Sequence, residues 1–224
     1  MDKLTELNKV NPHIHIYSVH DEEFKRYGRT ISVDTTALCE TAEKAVEFPT
    51  EGSKYFASVP QLELLAETTL LKEEYFGQLD EQMGLCLGHS NRLNALEWHT
   101  CNEFNIAVRE LVLMLAKRSD MDGDYRLDSN KIKAFYLSKG EMVEIFADTL
   151  HFCPCEVTKD GFSCIVGLQR STNLPLENRK QGLLWAKNKW LLAHEDNVSL
   201  VQRGGHPGIY GENWVINHVG VQKG

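Results

Sequence analysis

From Gly84 to about Leu168 short apolar runs alternate with turn signals. "LVLMLAKR", "IKAFYLS", "MVEIFA" and "FSCIVGLQ" are of strand length, and "SDMDGD", "LSKGE" and "TKDG" punctuate them. Closely spaced strands of this kind predict an antiparallel β-barrel or jelly roll. Before this body the texture is mixed. "IHIYSVHDEEFKRYGRTIS" opens with strand-like alternation, "TTALCETAEKAVEF" continues into helix formers, and "SVPQLELLAETTLLKEEYFGQL" repeats leucines at the spacing of one long helix after a Ser-Val-Pro entry. After it, "RSTNLPLENR" reads as a polar loop, followed by "GLLWAKNKWLLAHEDN". "VSLVQRGGHPGIYGENWVINHV" then reads as strands around a glycine-rich loop. The chain thus divides into an N-terminal α/β extension (1–83), a barrel core (84–170) and a C-terminal extension that completes or covers the barrel (171–224).

Charge narrows the partners. With 24 Lys and Arg against 32 Asp and Glu, the net charge is −8, which argues against a nucleic-acid partner. No apolar run approaches the ~20 residues of a membrane span. "MDKLTELNKVNPH" has neither the apolar core nor the cleavage site of a secretory signal, so the expected location is the cytoplasm. Cys39, Cys86, Cys101, Cys153, Cys155 and Cys164 are then expected reduced, as buried spectators; "CPC" is too tight for a zinc half-site.

The candidate chemistry lies in "LEWHTCNEF". On a helix, Glu97, His99 and Glu103 would not share a face, because the second and third project about 200° and 240° from the first. In extended chain, Glu97 and His99 share a side, and Glu103 returns to it within the strand or across a hairpin near "TCN". Burying two carboxylates and an imidazole is costly unless a cation compensates them. A fourth ligand should come from another strand. In "GEMVEIFADTLH", Gly140 begins a turn and His151 follows a strand and a second turn. Nitrogen and oxygen donors without thiolate suit divalent Mn, Fe, Zn or Ni.

Together these residues resemble the two motifs of the cupin superfamily, G-x5-H-x-H-x3,4-E-x6-G and G-x5-P-x-G-x2-H-x3-N. The first reads Glu97-x-His99-x3-Glu103, with glutamate in place of the first histidine. Asn91 and Glu110 replace its glycines. The second reads Gly140-x5-Phe146-x-Asp148-x2-His151, with Cys155 at the asparagine position. The resemblance covers roughly residues 84–170 and implies a double-stranded β-helix with a metal at Glu97, His99, Glu103 and His151. The whole chain is similar to a cupin-type family associated with bacterial carbohydrate metabolism. That likeness implies metal-dependent isomerisation or epimerisation of a small sugar or keto acid through an enediolate. An Fe(II) dioxygenase and a non-catalytic small-molecule-binding cupin are the alternatives. Such barrels often pair, and the "IHIYSV" arm suits a homodimer.

Other motifs add little. "DMDGDYRLD" lacks calcium-loop punctuation, since counting from Asp120 the sixth and twelfth residues are Tyr125 and Lys131; it reads as a hairpin turn at Asp122-Gly123. "GGHPGIYGEN" precedes a strand pattern, not the helix of a dinucleotide fingerprint. Catalytic candidates are His89, which shares parity with Glu97 if the strand is unbroken, Tyr136 and Lys139 before the second motif, and Glu212 in a loop expected to cap the cavity. Arg92 is a candidate for substrate binding. "WAKNKWLLAH" is expected to lay its apolar side on the barrel; its functional alternative is a lid supplying a cation to an anionic substrate.

Overall fold

The computed structural model describes residues 2–178 and 182–220. Its strands are β1 Ile16–Ser18, β2 Gly28–Ile31, β3 Ser53–Phe56, β4 Glu81–Gly88, β5 Ala95–Trp98, β6 Glu103–Ala107, β7 Leu111–Lys117, β8 Leu127–Asp128, β9 Lys133–Leu137, β10 Met142–Ile145, β11 Thr149–Leu150, β12 Cys155–Glu156, β13 Phe162–Gln169, β14 Leu184–Ala186, β15 Lys189–His194 and β16 His206–Tyr210. The helices are α1 Lys3–Val10, α2 Thr36–Ala45, α3 Pro60–Glu63, α4 Ala66–Glu74 and α5 Val198–Gln202.

One sheet has the order β2-β10-β6-β13-β4-β3, antiparallel throughout. A second runs β1-β9-β7-β11, with β12 also on β7. The third runs β14-β15-β16-β8, with β5 on β15. The first two sheets face each other: Leu111, Leu113 and Leu115 of β7 and Phe135 of β9 share a core with Val143, Ile145, Cys164, Val166 and Leu168. The alternate β7 residues, Val112, Met114 and Ala116, pack on Leu96, Trp98, Leu192, Ile209 and Leu7. Burial on both faces explains why "LVLMLA" is continuously apolar. The outer side of the first sheet, with Met83, Leu85, Phe104 and Ile106, lies under Leu38, Leu62 and Leu71 of α2–α4. The fold is mainly β, a largely antiparallel barrel with N-terminal helices and a C-terminal extension, in which β1-β9, β15-β16 and β16-β8 are the parallel pairs. β1, β2 and β3 of the N-terminal stretch pair directly with β9, β10 and β4 of the barrel. Among the described residues, no helix is long and apolar enough to cross a membrane.

Several elements depart from the sequence pattern. The helix expected over "SVPQLELLAETTLLKEEYFGQL" is broken between α3 and α4, where Leu65 turns extended at φ −76° and ψ 148°. The Thr68 hydroxyl donates to the Leu62 carbonyl at 2.7 Å across the break. Leu62 and Leu71 are thereby both fully buried, while Leu64 is left 86% exposed. The Asp122 side chain tightens its turn by accepting from the amides of Asp124 and Arg126. That turn closes no hairpin, because β8 pairs with β16. "VSLVQ" is helical, the glycine-rich "HPGIY" is itself the strand β16, and "WVINHV" forms no strand beyond a single bridge between Val215 and Arg92. Gly140 has φ +84°, which a turn glycine adopts without strain, and its amide donates to Ala107 O at 2.7 Å.

Candidate metal centre

Two chain segments distant in sequence meet at Glu97 and His151. Their backbones form an isolated antiparallel bridge, with Glu97 N to His151 O at 2.6 Å and His151 N to Glu97 O at 3.0 Å. Opposed residues of such a pair project to the same face. His99 follows β5 and Glu103 opens β6. Those strands belong to different sheets, so Glu103 arrives by a sheet crossing and not by a hairpin. On β6 the period of two sends Glu103 and Asn105 toward a cavity, and Phe104 and Ile106 toward the helices.

The four residues are buried, with exposures of 6% for Glu97, 1% for His99, 6% for Glu103 and 4% for His151. His99 Nε2 lies 3.3 Å from Glu103 Oε2 and 3.7 Å from Glu97 Oε1, and His151 Nε2 lies 3.2 Å from Glu103 Oε2. One ligand atom each from Glu97, His99 and His151 can be chosen with all three within 4.8 Å of one another. Adjacent ligands at ~2.1 Å from an ion are about 3 Å apart, so the contacts of Glu103 with both imidazoles are of the right size.

The outer contacts fit the same purpose. His99 Nδ1 is 2.7 Å from Asn188 O, and His151 Nδ1 is 3.0 Å from Thr149 O. A carbonyl only accepts, so each Nδ1 carries a proton and donates it, and in the neutral imidazole the lone pair then lies on Nε2, where a cation can take it. His99 Nε2 is buried and has no hydrogen-bond partner. Glu103 Oε1 accepts from Asn105 Nδ2 at 2.8 Å, leaving Oε2 to face the histidines. The donor set therefore fits a divalent metal ion.

Electrostatics binds the cluster together. Burial alone would lower the His151 pKa, but the adjacent Glu103 carboxylate outweighs it and lifts the imidazole to about 9. Burial likewise opposes ionisation of Glu103; the charge and hydrogen bond of His151, with His99, hold its carboxyl well below the usual range.

The cavity beside the cluster has a volume of about 180 Å³. Glu97, Glu103, His151 and Lys189 line it, with His99 outside this lining. Lys189, at the start of β15, forms an ion pair with Glu97 Oε2. In sequence this lysine stands out only as part of the lid alternative for "WAKNKWLLAH". The pairing of Leu191 with Glu97 supplies its position, and no local motif signals it. Tyr55, Asn173, Cys86, Cys153 and Cys164 also line the cavity, so three of the cysteines read as spectators adjoin the site.

The remaining sequence candidates lie outside the cavity lining. β4 ends at Gly88, which breaks the parity that would have aligned His89 with Glu97; His89 Nδ1 instead meets Glu156 Oε2 at 2.8 Å. Tyr136 donates to Glu110 at 2.7 Å, and Lys139 pairs with Glu43 at 2.7 Å. Arg92 donates to Asn213 O at 3.3 Å. Glu212 is exposed in the loop after β16, a strand that runs beside β15 and β8 and does not cap the cavity.

Fold and site thus define a mainly β barrel in which Glu97, His99 and His151 are close enough to share one cation, with Glu103 against both imidazoles. The chain belongs to the family described as a domain of unknown function (DUF4867), whose model matches residues 16–214. No curated protein matches it. Among solved structures, several of Bacillus subtilis oxalate decarboxylase are similar at 10% identity and a TM-score of 0.34, over 57% of this chain and 28% of theirs. They include that enzyme at pH 4.6 and a structure from work on its Mn(II) centres. The chain therefore spans less than a third of the length of these proteins.

Proposed function

We propose that the protein is a metal-dependent enzyme that isomerises or epimerises a small sugar or keto acid through an enediolate. The observation that carries this reading is the buried, unpartnered Nε2 of His99, facing Glu103 beside an equally oriented His151. Glu97, His99, Glu103 and His151 would hold the ion. A divalent Mn, Fe, Zn or Ni ion, when bound, supplies Lewis-acid polarisation of a carbonyl and positive charge for an enediolate.

The chain's own residues do the rest. Asn188 O and Thr149 O fix the imidazole tautomers, and Asn105 fixes the Glu103 carboxylate. Phe152 and Val166 give the cavity apolar walls that limit water around the reacting carbons. The reaction needs no oxidant: in isomerisation the proton taken from one carbon returns to its neighbour, and in epimerisation it returns to the opposite face of the same carbon.

The test is exchange. Protein loaded with each of the four metals is incubated in D2O with aldoses, ketoses and small 2-oxo acids and followed by proton NMR. Deuterium should enter at the carbon beside the carbonyl, and the signal should vanish in His99→Ala/His151→Ala. Absence of exchange in protein of verified metal content would overturn the reading.

A second reading, an Fe(II) dioxygenase, is favoured by Glu103 contacting both imidazoles, a two-histidine, one-carboxylate arrangement. Substrate-dependent oxygen uptake by the iron form, without exchange, would select it.

A further inference from the structure

Lys189 occupies a position that the metal cluster alone does not explain. The turn between β14 and β15 and the pairing of β15 with β5 bring its side chain into the cavity, 15% exposed. Its Nζ is 5.6 Å from the centre of the Phe152 ring. An ammonium has three N–H donors, more than its ion pair with Glu97 Oε2 can occupy.

The charges lining the cavity make the same point. Glu97 and Glu103 are its carboxylates, and Lys54 and Lys189 are its lysines. These charges cancel, so a divalent ion would leave the cavity positive. A neutral sugar would leave that charge uncompensated in a confined space, whereas an anion would neutralise part of it.

A third feature points to a hydroxyl. Asn173 lines the cavity and donates through Nδ2 to the Tyr55 hydroxyl at 3.2 Å, while its Oδ1 is buried without a partner. A buried acceptor left unpaired is costly, and a substrate O–H would relieve that cost.

We infer that the substrate is a small hydroxylated carboxylate, with its carboxylate held by Lys189 and a hydroxyl donating to Asn173 Oδ1. This rests on the metal reading for its charge balance. Lys189 is an anchor for substrate and keeps its contact with Glu97. Phosphate would satisfy the same ammonium, but the small cavity favours the more compact carboxylate.

The experiment compares three probes with one carbon skeleton: glycerate, glycerol and glycerol phosphate. Binding is followed by saturation-transfer NMR on Mn-loaded and metal-free protein, with manganese content measured for every sample. Glycerate should bind at least tenfold more tightly than either relative. Lys189→Gln should weaken it about tenfold or more, Lys189→Arg should restore part of the loss, and Asn173→Ala should weaken glycerate without lowering metal content. Melting curves confirm that each variant is folded. Equal binding of glycerol and glycerate, or indifference to Lys189→Gln in folded protein, would overturn the inference; preference for glycerol phosphate would overturn the carboxylate assignment. Failure to take up manganese would count against the metal reading instead. The dependence of glycerate binding on Lys189 would still be read on the metal-free protein.

Discussion

His151 and Glu103 hold one another charged in the absence of an ion. Because His151 keeps its proton up to about pH 9, an incoming cation has to displace that proton. Metal affinity is therefore expected to rise with pH, by about tenfold per unit at most, and to level off above the imidazole pKa. The metal-free protein should show the converse in stability. A histidine raised from 6.5 to about 9 contributes stability that is fully present below 6.5 and lost as pH rises through 9. Glu103, with its pKa lowered, contributes stability that is present above 4.5 and lost as pH falls. Melting curves of chelated and Mn-loaded protein should diverge between pH 6.5 and about 9, with the chelated form falling. A chelated form that gained stability over this interval would contradict the assigned pair.

The hairpin of β14 and β15 joins the C-terminal extension to the site through Asn188. This residue sits in the left-handed region at φ +55°. Its carbonyl accepts from His99, while its side chain accepts from Thr100 N at 3.0 Å and Thr100 Oγ1 at 2.6 Å and donates to Thr172 Oγ1 at 3.0 Å. Asn188→Gly keeps the backbone conformation and loses these side-chain bonds, so it should cost about 1–3 kcal/mol and weaken metal binding about tenfold or more. Asn188→Ala should cost about 1 kcal/mol further, from left-handed strain. Denaturant melts and metal titrations check both. The strands of the barrel were readable because burial on both faces leaves runs such as "LVLMLA" and "FSCIVGLQ". The N-terminal helix α1 carries a local signal of its own, D-x-x-T, in which the Asp2 side chain caps it by accepting from Thr5 N. The break between α3 and α4 was not readable, because it depends on the sheet that Leu62 and Leu71 cover. The sequence offers Lys189 only as part of a lid segment for a related reason: its place beside Glu97 is set by the pairing of β15 with β5, and period-two reasoning stops at strand ends.

At the scale of the molecule, a barrel brings together residues that lie far apart along the chain. Glu97, His99 and Glu103 could be grouped from sequence because they are close neighbours, and His151 because its motif spacing resembled a known one. The wall of the cavity could not, since Tyr55, Cys86, Asn173 and Lys189 come from four separate strands and loops. On the proposed function, this convergence holds a metal ion. The most direct measurement is the metal content of untagged protein purified without chelators or nickel resin, beside the His99→Ala/His151→Ala double variant. About one equivalent of a transition metal in the wild type, lost in a folded double variant, is the expected result. A wild type that stays metal-free after exposure to Mn, Fe, Zn and Ni would contradict it.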